Sequence, residues 1–355
     1  MFRVRTFSIG LILSLTAVLL LSITAASAQE ETTKLTGTAT FRDDGDNLNA
    51  KVVISLGGLP VPEAGTAYEG WLLGSNGSKV STGVFYRAID GSVDQEYVDP
   101  DGASLLATYG AFVVTSELVP DPDPATSGAV LYADSISAGA APHIGHLLVA
   151  FDANPESKGI AVGLREQMAL ALAHAKLADA STALADKQSH AQHVVNIIEG
   201  SGGPGDGNGV LSYAADALAH VTEAKAGTTG LARIASANAA IAAAQDAKVR
   251  AEQSRNNALS VIAATELGFL VNIQLQNASV GLSAGVTFAE TVYTSSQDIA
   301  AFVPVLGASP APPSVGDGLV PTAALTILIA GLMATAAGAL LLFRRRATAT
   351  ATATA

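Results

Sequence analysis

Two uncharged apolar stretches, one at each end, constrain this chain most, because they decide which solvent the residues between them fold in. The first follows Arg3 and Arg5, runs from Ile9 to Leu21, and exits through Ala26-Ser27-Ala28 ahead of Gln29. A basic start, a short apolar middle and a small-x-small exit describe a secretory signal peptide over residues 1–28. The alternative is an uncleaved anchor, for which the run is short. The second stretch covers residues 319–343 and is followed at once by Arg344, Arg345 and Arg346. About 20 apolar residues cross a bilayer as a helix, and an arginine cluster stays on the cytoplasmic side. The pattern predicts one transmembrane helix over 319–343, a cytoplasmic tail over 344–355, and everything between the two stretches outside the cell membrane. Gly331, Ala334 and Gly338 put small residues at helical spacing, which would let two spans pack closely; a plain anchor with no partner is the other reading.

Charge narrows the partners. The chain has 19 Lys and Arg and 31 Asp and Glu; five arginines lie in the end segments, which hold no acids. The part outside the membrane therefore keeps 14 basic and 31 acidic groups, a net charge of −17. Nucleic-acid binding needs a cationic surface that displaces phosphate counterions, so that class is excluded. An acidic surface raises the local concentration of cations. There is no cysteine, which removes disulfides, thiolate-ligated zinc, iron–sulfur clusters and covalently attached haem.

Composition changes near residue 155. Before it, alternating apolar residues at 34–41, 50–56, 68–73, 82–86, 111–118, 129–135 and 146–151 predict short strands. Turn clusters such as Asp43-Asp44-Gly45-Asp46 and Pro120-Asp121-Pro122-Asp123-Pro124 separate them, which indicates an all-β sandwich. After it, Ala-rich runs at 156–185, 187–199, 210–226, 229–265 and 267–303 predict helices, the second continuing or restarting the first. Leu170, Leu177 and Leu184 form a heptad-like stripe. The expected class is an α+β multidomain chain. A β-sandwich domain occupies 29–154, an antiparallel bundle of four helices 155–306, and a Pro/Gly-rich linker 307–318 leads to the membrane helix.

Within the strand region, Gly65-Thr66-Ala67-Tyr68-Glu69-Gly70-Trp71-Leu72-Leu73 followed by Val80-Ser81-Thr82-Gly83-Val84-Phe85 resembles the extracellular domain of anti-sigma-K factors. There a Tyr-x-x-Trp-Leu strand precedes a small-Gly-apolar-Phe strand. The resemblance covers roughly residues 33–152 and implies an immunoglobulin-like sandwich. The family's sigma-binding segment would lie in the cytoplasm, where this chain is expected to have only a short tail, so the module is adopted without the activity. Tyr68 and Trp71, three apart, should point to opposite faces of a strand; Trp71 is expected as a core anchor, with a ligand-stacking surface as the alternative. The helical region resembles uncharacterised surface proteins of filamentous green bacteria that join such a sandwich to a histidine-bearing bundle, and small periplasmic metal-binding four-helix proteins. The C-terminus is also similar to a sortase-type sorting signal. Pro313-Ser314-Val315-Gly316-Asp317 departs from that family's Leu-Pro-x-Thr-Gly, so a retained anchor is expected.

Histidine is the one residue type pointing to site chemistry. His174, His190, His193 and His220 fall in expected bundle helices. His190 and His193 share a helical face, and convergence near Glu199 or Asp216 is expected if the first helices fold back. Imidazoles fixed on facing helices can hold a divalent transition metal or axially ligate a non-covalent haem; otherwise they are half-buried polar residues at a bundle edge. His143 and His146 are expected in a loop leading into a strand, where a spacing of three separates them. The acidic turn at 43–46 and Asp206 and Asn208 in the glycine loop faintly suggest calcium, short of a full ligand set. No His-Glu-x-x-His or Walker loop is present, and no Gly-x-Ser-x-Gly elbow or dinucleotide fingerprint follows an expected strand. The expected role is therefore non-enzymatic: a single-pass surface protein presenting its sandwich to another envelope protein, a glycan or a second copy. An extracytoplasmic metal- or haem-binding sensor or buffer is the alternative.

Overall fold

A computed structural model describes residues 34–120 and 129–308. The expected signal peptide, transmembrane segment and cytoplasmic tail, and all but the start of the linker, lie outside the described residues. Among the described residues, no helix is long and apolar enough to cross a membrane.

The first half supplies seven strands: β1 (Thr36–Asp44), β2 (Asn47–Gly57), β3 (Thr66–Gly74), β4 (Lys79–Val84), β5 (Val93–Val98), β6 (Tyr109–Leu118) and β7 (Ala129–Ser135), with a one-turn helix α1 (Leu105–Thr108) before β6. One sheet has the order β1-β2-β5. The other runs β4-β3-β6-β7 and is completed at its edge by a later strand, β8 (Val305–Leu306). The pairings are antiparallel. Along β2, Ala50, Val52, Ile54 and Leu56 are buried, the period of two that a sheet with one covered face imposes. They share a core with Phe41 of β1, Tyr68 and Leu72 of β3, and Phe112 and Val114 of β6, so the sheets enclose one apolar layer. Trp71 takes the opposite face of β3 from Tyr68. It is buried with Val113 and Ala133 in a small separate cluster, and its indole N–H donates to Thr115 Oγ1 at 3.2 Å. It is buried, but on the outer face of the sheet rather than between the sheets.

Two expectations about this half need correction. β5 was not anticipated: Val-Asp-Gln-Glu-Tyr-Val is an edge strand in which only Val93 and Gln95 among the first three residues are less than exposed, and its polar alternation carries a weak signal. The strand expected over 146–151 is instead the second part of helix α2 (Ala141–Leu148) and the residues leaving it. A short apolar run fits a buried helix as well as a strand, and Pro142 sits in the first turn, where proline is tolerated.

The second half contains α3 (Ile160–Ala180), α4 (Leu184–Glu199), α5 (Val210–Gly227), α6 (Leu231–Ile262) and α7 (Phe269–Ile299). Among the described residues this makes five long helices, not four, because Ser181–Ala183 breaks the first run and α4 starts afresh. The leucine stripe is not the seam. Leu177 is exposed, and Leu170 and Leu184 are only half-buried. The buried positions of α3 include Ala171, Ala175 and Ala178, and those of α6 include Ala237, Ala240, Ala244, Ala247 and Ala251. Small side chains let helix axes approach closely, so an Ala-rich chain packs through its alanines. Gly163 of α3 serves the same end: a Cβ there would collide with the Tyr213 ring of α5.

The apolar core does not stop at residue 155. After α7 the chain returns to the sheets. Phe302 is fully buried, with its ring 5.4 Å from Phe41 and 6.0 Å from Phe112. Its backbone exchanges hydrogen bonds with Ala39 at 2.8 and 3.0 Å. β8 then pairs with β7. Arg233, at the start of α6 and almost fully buried, donates to the Ala301 carbonyl at 2.8 and 2.9 Å and pairs with Asp134 of β7. Asp43 at the end of β1 accepts hydrogen bonds from Tyr293 Oη at 2.6 Å, Gln297 Nε2 at 3.1 Å and the Asn49 amide at 3.0 Å. That side chain therefore joins β1 to α7, and the calcium reading of this turn is not supported.

Removing the Phe302 ring should cost about 3–5 kcal/mol, the range for deleting a buried aromatic. Urea unfolding of Phe302→Ala followed by near-UV and far-UV circular dichroism should show one shifted transition, with strand and helix signals lost together. Burial holds the phenols of Tyr293 and Tyr213 above their ordinary value of 10, and hydrogen bonds to Asp43 and Asp206 push the same way. The unfolded chain loses these protons near pH 10 while the folded one keeps them, so stability should fall as pH rises above 10. In a titration followed by tyrosinate absorbance, these two rings should ionise only as the fold is lost.

Candidate metal centres

The chain has six histidines, and all six lie in two groups of three: His174, His190 and His193, and His143, His146 and His220. In each group, one ring nitrogen from every member lies within 4.8 Å of the others. Each is built alike, from a His-x-x-His pair on one helix and a single His on another.

The first group stands between α3 and α4, which form a helical hairpin. Its register is set by polar side chains that finish the helix ends. Lys187 is buried, and its ammonium donates to the Ala178 and Asp179 carbonyls at 3.2 and 3.0 Å, capping α3. Gln188 donates to the carbonyls of Ile262 and Ala264 at 2.9 and 2.8 Å, capping α6. With α4 so fixed, His190 and His193, on one face, meet His174 across the hairpin. His174 Nδ1 is 3.3 Å from the Nδ1 atoms of both His190 and His193.

The second group joins α2 to α5. The N-terminal end of α2 meets the C-terminal end of α5 where Gly139 and Gly227 touch backbone to backbone; a Cβ on Gly227 would overlap Gly139. Ser137 donates its hydroxyl to the Gly227 carbonyl there. This contact places His143 Nδ1 3.1 Å from His220 Nδ1, with the His146 ring 4.9 Å from that of His220. Phe151 covers one side, its ring 5.0 Å from His146 and 5.1 Å from His220.

Burial, and then the neighbouring imidazoles, lower the pKa of His174. The same causes lower His146, against a smaller opposing effect from Asp152, and carry His220 down to about 4. Neutral imidazole is the form that ligates metal. Zinc–nitrogen bonds of about 2.0–2.1 Å in a tetrahedral set place two nitrogens roughly 3.3–3.4 Å apart, and the observed 3.1–3.3 Å spacings match. Three imidazoles with a fourth position open suit a first-row divalent ion. Nitrogens this close are placed to bind one small ion side by side, and they leave no gap for a haem ligated between two of them.

Of the four histidines expected to converge, His174, His190 and His193 do so. His220 does not join them; it belongs with His143 and His146. That trio escaped sequence reasoning because residues 143–146 were read as leading into a strand, where a spacing of three separates side chains. On a helix the same spacing aligns them. Neither Glu199 nor Asp216 belongs to either group; Glu199 lies 3.5 Å from Arg255. Asp206 accepts the Tyr213 hydroxyl at 2.7 Å and the Asn208 amide at 3.1 Å, which makes it a loop-fixing residue rather than a calcium ligand.

Residues 15–130 match the family model of the anti-sigma-K factor RskA, C-terminal region. The match spans about a third of the chain and covers β1 to β6 and the start of β7. It bears out the resemblance of the strand-rich half to anti-sigma-K factors and leaves α2 to α7 and both histidine groups outside. No curated protein and no solved structure matches the chain.

Proposed function

We propose that this protein is a membrane-anchored, extracytoplasmic binder of a divalent transition metal, held by His174, His190 and His193. The observation that carries this is the 3.3 Å spacing of His174 Nδ1 from the Nδ1 atoms of both histidines across the α3–α4 hairpin. Each neutral imidazole has one N–H and one lone pair. Three such groups facing each other satisfy one another poorly, whereas one cation accepts all three lone pairs. The apolar ends of the sequence support secretion and anchoring, and the net charge of −17 outside the membrane would gather cations around the site.

In this reading the chain performs no chemical step. Its strand-rich half is an interaction module, as the anti-sigma-K match suggests, offered to an envelope protein, a glycan or a second copy in an immunoglobulin-like sandwich. The structural role ranked first by sequence becomes the companion of metal binding, because the histidine geometry has a specific ligand and the surface does not.

The test is equilibrium dialysis of the full chain in detergent against zinc, followed by metal analysis. His174→Ala/His190→Ala should hold one zinc ion fewer per chain than the wild type, with unchanged far-UV circular dichroism. Equal zinc in both proteins would overturn the proposal.

A further inference from the structure

We infer that His143, His146 and His220 form a second transition-metal site, independent of the first, whose ion pins α2 to α5 where the strand-rich half passes into the helices. The first observation is an orphan: His146 Nδ1 is buried and has no hydrogen-bond partner. A buried polar atom left unpaired is destabilising, and such atoms call for an explanation that includes an ion. The second is the close approach of His143 and His220, whose Nδ1 atoms are 3.1 Å apart, a spacing two ligands of one small ion adopt. The third is that the three residues come from two helices, so that packing on one helix alone does not account for their meeting. All three are half-buried rather than sealed, which leaves an entry path. Phe151 keeps one side dry. Asp152 lies near enough for its negative charge to act on His146, in the sense that favours a cation.

The consequence is mechanical. α2 follows β7 directly, and Asn49 of β2 donates to the Leu148 carbonyl at its C-terminal end at 3.3 Å. An ion bound to two ligands on α2 and one on α5 therefore cross-links the helix that leads out of the sheets to the bundle. The first site lies within the α3–α4 hairpin and has no such position. Metal at the second site should govern how firmly α2 is held, whatever happens at the first.

The experiment uses the full chain in detergent with zinc as the probe, and five proteins: wild type, His174→Ala/His190→Ala, His143→Ala, His143→Gln, and the triple variant His143→Ala/His174→Ala/His190→Ala. The wild type should bind two zinc ions per chain, the double variant one, His143→Ala one, and the triple variant none. Hydrogen exchange of residues 141–148 gives an independent readout. With free zinc at 100 times its dissociation constant, local opening of α2 should become about 100-fold rarer in the wild type and in the double variant, and should not change in His143→Ala. His143→Gln keeps more of the side-chain volume and should behave as His143→Ala does. If the double variant binds no zinc, the second site is overturned while the first stands. If His143→Ala binds as much zinc as wild type, the second site is overturned as well. If zinc binding is lost in His143→Ala and retained in full by the double variant, the second site stands and the first fails.

Discussion

The burial of Phe302 between Phe41 and Phe112 holds the architecture together. It makes the helices an excursion between two strands of one sheet: β7 enters the excursion, β8 leaves it, and the two pair. The run of helices from α2 to α7 is thereby tethered, at its start and its end, to the same apolar layer. Arg233 with Asp134 and Ala301, and Asp43 with Tyr293 and Gln297, add polar ties across the same seam. A helical region with so many buried alanines has little apolar area per residue to hold it. The closed loop offsets this by limiting what the helices can reach when they separate.

Strand pattern and helix pattern were both legible in the sequence, because β2 alternates cleanly and residues 210–262 are rich in helix formers with glycine punctuation. The join between them was not. Phe302 sits in a short apolar run after a long helix, and nothing local says that its ring belongs more than 250 residues back in the chain. The leucine stripe misled for a related reason. Leucine is the usual seam residue, but here the alanines allow closer approach, Leu177 is exposed, and Leu170 and Leu184 are only half-buried. β5 and α2 failed through competing signals: a polar edge strand looks like loop, and a short apolar run suits either secondary structure.

The histidines show the same mixture. Their type and number singled them out, and His190 and His193 on one helical face were readable at once. Bringing His174 to them needed the register set by Lys187 and Gln188, and assigning His220 to His143 and His146 needed the Gly139–Gly227 contact, all tertiary features. Once α2 is a helix, the repeat of His-x-x-His plus one partner is plain. In the proposed reading, six histidines placed in two such trios, in an acidic and cysteine-free context, would favour a borderline cation with imidazole preference over a soft one.

The most direct measurement is anomalous diffraction at the zinc absorption edge from crystals of the zinc-loaded protein. The account predicts two peaks per chain, one within bonding distance of His174, His190 and His193 and the other of His143, His146 and His220. Peaks confined to surface carboxylates, with both trios free of metal, would contradict it.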